Sequence, residues 1–282
     1  MNRTIKLVAD SSADTVSLTG VSFAAVPLKI VTAEREYVDD ASLNTAAMVR
    51  ELEQYSGRSS TACPSPGDWL VAFGDGEEIF CLTITSGLSG SYNAACIARR
   101  DYEEKHPGRR VCVIDSLSAG PELRLLLEKL QQLIADGVSF DDIALEIAAY
   151  QKRTALVFML QSMRNLARNG RVSPLVAKAA GLLGIRVVGK ASDHGTLELL
   201  EKCRGEKKAL DGILRSMETM GYAGGPVRIS HCFGEETAET VRRKLLERFP
   251  AAQVELYPSR GLCSFYAEQG GLLVGFETAP RP

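Results

Sequence analysis

The chain has 282 residues, a formal net charge of −2, and 45% hydrophobic and 24% charged residues. This length exceeds what one core usually needs, so we expect two domains, and the balanced charge excludes a strong basic surface for nucleic acid. The N-terminal stretch MNRTIKLVADSSADT lacks the apolar core of a signal peptide, and no stretch reaches the length of a membrane span. We therefore expect a cytoplasmic protein that binds no nucleic acid and is not stably inserted in a membrane.

The seven cysteines are scattered without a C-x-x-C pair, and the chain has three histidines. This pattern is typical of reduced cytoplasmic thiols rather than of a disulfide framework or a zinc site. Asp10, Asp14, Asp39 and Asp40 show no recognisable spacing for metal ligation or acid–base work, and Asp14 is interpreted as a helix cap. We expect neither a metal nor a cofactor.

Strands and helices alternate along the first half of the chain. The predicted strands are at 6–9, 24–30, 79–85 and 111–115, and the predicted helices at 45–55, 91–106, 123–135 and 140–153. This alternation predicts a mainly parallel sheet with helices on its faces. Ligands of such sheets usually bind at the carboxyl ends of the strands.

The loop from Ser86 to Ser91 follows a buried strand and opens a helix. Its small residues aim hydroxyls and backbone N–H groups at one spot, where the helix dipole favours an anion, either a phosphate or a carboxylate. A nucleotide is disfavoured because neither G-x-G-x-x-G nor a Gly-Lys-Ser/Thr ending is present. A simpler interpretation stays open, namely that Ser89 or Ser91 is only a helix N-cap.

Polar small residues also follow two other predicted strands, in the loops at 10–12 and 115–118. Each loop alone is typical of a turn or a helix start. Because the carboxyl ends of parallel strands meet at one sheet edge, we expect the three loops to rim a single polar site.

A second region begins near residue 154, and we predict domains at 1–153 and 154–282. Its predicted strands are at 155–160, 185–189, 227–231, 254–257 and 270–277, with helices at 163–168 and 235–249. The run at 175–183 is rich in Ala, Gly and Leu; we predict a buried helix there, or alternatively a wall that leaves room for an apolar ligand. The cluster of Lys202, Arg204, Lys207 and Lys208 is interpreted as a solvated helix face.

No pattern for covalent catalysis is visible. His231 and Cys232 are adjacent on a predicted strand and point to opposite faces, and no G-x-S-x-G elbow is present. Hydroxyls without a general base suit the binding of an oxyanion. We predict no catalytic residue, and keep two alternatives: an enzyme acting on a carboxylated or phosphorylated small molecule at the loop from Ser86 to Ser91, and an interaction module.

Several motifs occur in the order seen in the DegV family. They are D-S-S-A-D near the start, T-A-C-P-S-P-G at 61–67, T-S-G-L-S-G-S-Y at 85–92, D-S at 115–116, N-G-R-V-S at 169–173 and G-L-L-G-I-R-V-V at 181–188. The resemblance implies two α/β domains, the first with a mainly parallel sheet, that hold a long-chain fatty acid between them. Segment 61–75 is then a candidate for packing on the second domain. Some family members present the fatty acid to a separate kinase, which phosphorylates the carboxylate using ATP.

The resemblance also implies residue roles. Thr61 and Ser89 match the hydroxyls that bind the fatty acid carboxylate, and Arg171 matches an arginine near the head-group opening and the kinase-docking surface. Two motifs differ: the usual T-S-Q-P is replaced at 61–64, and Tyr266 stands where the family has a histidine. Tyrosine donates a hydrogen bond but carries no positive charge at neutral pH. The predicted ligand-binding residues are therefore Thr61, Ser89, Arg171 and Tyr266, with an apolar tunnel for the acyl chain.

Overall fold

A computed structural model describes residues 4–175 and 184–279. The first half contains β1 (Ile5–Asp10), β2 (Ser22–Val26), β3 (Lys29–Val31), β4 (Glu36–Val38), α1 (Thr45–Gln54), β5 (Ser60–Ala62), α2 (Pro66–Phe73), β6 (Glu78–Thr83), α3 (Ser91–Lys105), β7 (Arg110–Asp115), α4 (Pro121–Ala135) and α5 (Phe140–Gln151). The second half contains β8 (Thr154–Leu160), α6 (Arg164–Arg168), β9 (Ile185–Ala191), β10 (Leu197–Arg204), α7 (Glu206–Thr219), β11 (Tyr222–His231), α8 (Glu235–Arg248), β12 (Gln253–Pro258), α9 (Gly261–Ala267) and β13 (Leu272–Thr278). The predicted small-residue run lies outside the described residues, except for Leu175.

The first sheet is entirely parallel, in the order β2-β1-β6-β7, which confirms the predicted α/β architecture. Helices α4 and α5 cover one face, and α2 and α3 cover the other. The strand predicted at 24–30 is wrong as a single element: β2 ends at Val26 and β3 begins at Lys29 in a different sheet. Pro27 separates them, because proline has no N–H for a sheet hydrogen bond.

A six-stranded mixed sheet, in the order β10-β9-β8-β13-β11-β12, forms the second half, and only its β11–β12 pair is parallel. The interpretation of the basic cluster as one helix face is wrong. Lys202 and Arg204 lie on β10, and Lys207 and Lys208 lie on α7, although all four are exposed. Strand β10 alternates half-buried or buried residues with exposed ones, which is the period of a strand.

A third, small antiparallel sheet, β4-β3-β5, lies beside these two. It contains Thr61 at the centre of β5, paired with Ile30. The following helix α2 buries Trp69 and Phe73 against Val8 and Val26 of the first sheet. Segment 61–75 therefore contacts two different parts of the molecule.

Helix α4 lies between the two large sheets and packs on β1 and β6 on one side and on β8, β11 and β13 on the other. Its leucines join the core of the first sheet. Its opposite face is polar: Glu128 pairs with Arg228 of β11 at 2.7 Å, and Glu122 accepts a hydrogen bond from Thr154 of β8 at 2.7 Å. We call this polar contact between α4 and the second sheet the α4 seam.

Within residues 4–175 and 184–279, no helix is both long enough and apolar enough to cross a membrane. In the same ranges, His, Cys, Asp and Glu side chains form no group of three or more that could hold a metal ion.

Candidate functional site

An apolar cavity of about 350 Å³ lies between the first half and the six-stranded sheet. The first half contributes Leu28, Ile84 and Ala119 to its walls, and β8 contributes Leu156, Phe158 and Leu160. These three side chains share one face of β8 because they alternate along it, whereas Val157 and Met159 pack in the core on the opposite face. The volume lies within the range of about 300–1,000 Å³ that is typical of small-molecule sites.

The cavity has one polar end, formed by Thr61, Ser89, Arg171 and Tyr266. The structure thus brings together all four residues that were predicted as ligand-binding, from four separate segments of the chain. Their roles toward a ligand stay predictions. Of the described residues that line the cavity, none is a histidine or a carboxylate, so the lining offers no support for the alternative of an enzyme with a general base beside Ser89.

Tyr266 and Thr61 are in direct contact, with 2.7 Å between the Tyr266 Oη and the Thr61 Oγ1. Burial raises the pKa of Tyr266, so this residue is a neutral phenol at physiological pH. The guanidinium of Arg171 lies 6.0 Å from the centre of the Tyr266 ring. Its Nε donates to the Leu88 carbonyl at 3.1 Å, which ties it to the loop that carries Ser89.

The buried carboxylate of Asp10 holds the loop from Ser86 to Ser91 in place. This carboxylate accepts hydrogen bonds from Ser91 Oγ at 2.7 Å and from Ile84 N at 2.9 Å. Ser91 is therefore part of the scaffold. The N-cap position of α3 is Gly90, which has no side chain to cap with. Ser89 Oγ accepts from Ser91 N at 3.3 Å, which engages its oxygen and not its hydroxyl proton.

The three polar loops do meet at the carboxyl edge of the first sheet. Asp10 at the end of β1 accepts from Ile84, and Asp115 at the end of β7 accepts from Ser86 N at 3.0 Å. The expectation that all three loops supply polar groups to one site is wrong. Among the hydroxyl-bearing residues of these described loops, it is Ser89 that lines the cavity. In the other two loops, the carboxylates of Asp10 and Asp115 hold the Ser86 to Ser91 loop, and Ser11 Oγ accepts from Leu28 N at 3.0 Å.

Helix α9 forms the other wall of the polar end and was not predicted. It carries Leu262, Cys263, Tyr266 and Ala267, all of which line the cavity. The available signal was the apolar spacing of Leu262, Phe265 and Tyr266 at helical intervals. The helix has seven residues, fewer than such a pattern needs to stand out.

Asp14, interpreted from the sequence as a helix cap, is the C-cap of a short 3₁₀ helix, and its backbone N–H donates to the Ser11 carbonyl. It follows a single 3₁₀ turn at Ser11–Ala13, adopts a left-handed conformation with φ 54°, and is buried. Its Oδ1 accepts from Arg260 N, at the start of α9, at 2.8 Å. Burial raises the pKa of Asp14 to about 7, as it does to about 7 for Glu122 of the α4 seam.

Two sheets that enclose an apolar cavity with hydroxyls at one end define a ligand-binding α/β protein. Residues 4–278 match the family described as "Uncharacterised protein, DegV family". A DegV domain-containing protein of Streptococcus pneumoniae is 45% identical over 278 residues, which cover 97% of this chain and 99% of the relative. The chain belongs to the DegV family.

Two crystal structures of related proteins are similar over nearly the whole chain. A DegV family protein from Eubacterium eligens, loaded with heptadecanoic acid, has a TM-score of 0.96 and 47% identity, and the match covers 98% of this chain and 100% of that one. The Fatty Acid Kinase (Fak) B3 protein of Streptococcus pneumoniae, loaded with linoleic acid, has a TM-score of 0.96 and 45% identity, with the same coverage.

Proposed function

We propose that this protein binds a long-chain fatty acid, with the acyl chain in the apolar cavity and the carboxylate at Thr61, Ser89 and Tyr266. The observation that carries the proposal is the convergence of these three hydroxyls at one end of a cavity that is otherwise lined mainly by leucine, isoleucine, alanine and phenylalanine. The two related structures loaded with heptadecanoic and linoleic acid support it.

The two ends of the cavity have different energetic roles. Burial of each CH₂ group contributes roughly 0.8 kcal/mol, so an acyl chain supplies ample binding energy and the head group fixes its orientation. Thr61 and Tyr266 already share a hydrogen bond. One of the two hydroxyls is its donor, and the other keeps its proton for the carboxylate. Arg171 supplies a positive charge at the same end.

We further propose that the protein presents the carboxylate to a separate kinase. Ala62, Cys63 and Gly90 line the polar end of the cavity and are also exposed to solvent, so the cavity opens where the head group lies. A bound carboxylate is then the part of the ligand that a second protein can reach. The similarity to a fatty acid kinase B protein supports this proposal.

Lipid extraction from the purified protein followed by mass spectrometry tests the binding function. We expect a fatty acid of long chain length, and binding of added oleate or palmitate to delipidated protein. Recovery of no fatty acid together with no binding of either would refute the proposal.

The matched pair Ser89→Ala and Ser86→Ala tests the head-group site. Ser89→Ala removes a donor from the cavity and should weaken oleate binding by about 1–3 kcal/mol. Ser86 is exposed in the same loop and does not line the cavity, so Ser86→Ala should leave the affinity unchanged. An unchanged affinity of Ser89→Ala with lowered stability would favour a structural role for Ser89, through the hydrogen bond that it accepts from Ser91 N.

The kinase proposal has its own assay. Protein loaded with oleate is incubated with ATP and the catalytic protein of a bacterial fatty acid kinase, and any acyl phosphate is trapped with hydroxylamine as the hydroxamate. We expect hydroxamate only when all three components are present. Its absence, with oleate still bound, would refute presentation to that kinase while leaving fatty acid binding intact.

A further inference from the structure

The first turn of α9 is held by two buried aspartates from the other half of the chain. Asp39 is 1% exposed, and its two carboxylate oxygens accept from Gly261 N and Leu262 N, each at 2.9 Å. Asp14 accepts from Arg260 N at 2.8 Å. Three successive backbone N–H groups at the start of this helix are thereby satisfied by carboxylates more than 200 residues away in the sequence.

Gly261 makes this close contact possible. A Cβ atom at this position would lie 2.7 Å from Asp39 Cγ and 2.6 Å from Leu43 Cδ2, which is too close for any side chain. Arg260 reinforces the same contact, because its Nη2 donates to the Asp40 carbonyl and its Nε lies 3.8 Å from Asp39 Oδ1. The start of α9 is therefore fixed against the loop that follows β4.

The far end of α9 is held by the same small sheet. Tyr266 lies near the C-terminal end of the helix and contacts Thr61 of β5, while Asp39 directly follows β4. Strand β3 pairs with both β4 and β5. The three-stranded sheet and the aspartate that follows it thus contact α9 at both ends, and Asn165 Nδ2 also donates to the Phe265 carbonyl at 2.8 Å.

Such a short helix has little rigidity of its own, so its position depends on these contacts. A recognition group must be held within about 0.5 Å of its productive position. We infer that Asp39, assisted by Asp14, is a positioning residue that places the Tyr266 hydroxyl against the ligand carboxylate. This inference rests on the proposed function, since it assigns a purpose to the contact in the recognition of the head group.

The test compares oleate with methyl oleate, which has the same chain but no carboxylate. In Asp39→Asn, one carboxylate oxygen is replaced by an amide donor that cannot accept from α9. We expect oleate affinity to fall about tenfold, the loss of one hydrogen bond to a charged group, and methyl oleate affinity to stay at the wild-type value. The matched control is Asp40→Asn, because the Asp40 side chain bonds Ser42 and not α9; both affinities should be unchanged.

The same substitution is then made in a Tyr266→Phe background. If Asp39 acts through the Tyr266 hydroxyl, Asp39→Asn should cause no further loss of oleate affinity there. A loss as large as in the wild-type background, or an equal loss for oleate and methyl oleate, would overturn the inference and indicate a merely structural carboxylate.

A second variant covers the case in which Asp39→Asn does not fold. Gly261→Ala keeps both carboxylates but forces Asp39 away from α9, so it should produce the same selective loss for oleate; an equal loss for both ligands would overturn the inference. Wild-type protein that binds neither ligand would instead refute the proposed function itself. These two failures are therefore distinguishable.

Discussion

The two halves of this chain meet in two chemically different regions, the α4 seam and the cavity. In the seam, polar groups of α4 are paired with polar groups of the second sheet, as in the contact of Glu128 with Arg228. In the cavity, apolar side chains of both halves face each other across a space. Directional contacts in the seam set how the halves sit together, while the cavity leaves apolar surface for a ligand. Stability and ligand binding should therefore respond to different substitutions.

Arg228→Ala should break the seam without touching the cavity. The Arg228 side chain is 10% exposed and contacts Glu128 at 2.7 Å, and its removal leaves a carboxylate without its main partner. Removal of one partner from a buried pair costs about 3–5 kcal/mol; because Glu128 is itself 24% exposed, we expect about 2–3 kcal/mol less free energy of unfolding in urea. Oleate affinity of the folded protein should not change.

Arg124→Ala is the matched control for this substitution. Arg124 also pairs with Glu128, at 2.9 Å, but is more exposed than Arg228, so its loss should cost less than about 1 kcal/mol. Equal effects of the two variants would contradict the assignment of Arg228 as the main contact of the seam.

Tyr266→Phe should lower the affinity for oleate and leave the free energy of unfolding nearly unchanged, the opposite of Arg228→Ala, and its effect should be the smaller of the two. The ring keeps its contact with Phe265, whose centroid lies 4.9 Å away, while the hydroxyl at the polar end is lost. We expect oleate affinity to fall by about 2 kcal/mol, the loss of a hydrogen bond to a charged group. Affinity is measured by calorimetry, together with the free energy of unfolding. Unchanged affinity would show that Tyr266 serves packing only.

Glu122→Gln tests the seam through pH. Burial raises the folded pKa of Glu122 from 4.5 to about 7, so between these values the folded protein holds a proton that the unfolded chain releases. Stability from this group is therefore present at low pH and lost as the pH rises toward 7. Over the unit from pH 5.5 to 6.5, Glu122→Gln should remove about 1 kcal/mol of this loss. The check is urea unfolding at several pH values, and an unchanged slope would contradict the prediction.

The position of Ser89 could be predicted from the residues around it, whereas Tyr266 was predicted only through the family resemblance and the helix α9 that carries it was not predicted at all. A β-branched run of strand length followed by small residues predicts a buried strand and the loop at its carboxyl end. Ser89 lies in that loop, where ligands of parallel sheets usually bind. Tyr266 lies on a seven-residue helix whose position depends on Asp39 and Asp14. Local sequence holds no record of a contact between residues this far apart, so the role of these carboxylates emerged only from the structure.

The second sheet shows the same limit. Its antiparallel strand β10 carries charged residues on its solvent face and half-buried or buried residues between them. When only the basic residues of the strand are considered, without the alternating residues between them, they are equally compatible with the exposed face of a helix. The break between β2 and β3 lies at one proline. A proline can either interrupt a strand or lie on an edge strand, and the sequence alone does not distinguish these two cases because they differ in how the neighbouring strand pairs.

The free energy of unfolding should also depend on whether the cavity holds a ligand. Since the cavity walls belong to both halves, a bound acyl chain would contact both and complete the packing between them. A ligand that binds only folded protein raises the free energy of unfolding by about 2.7 kcal/mol at a hundredfold excess over Kd. For a fatty acid carrier of this design, the melting temperature should rise with the concentration of fatty acid, and the fraction of molecules that is unfolded and open to proteolysis should fall accordingly.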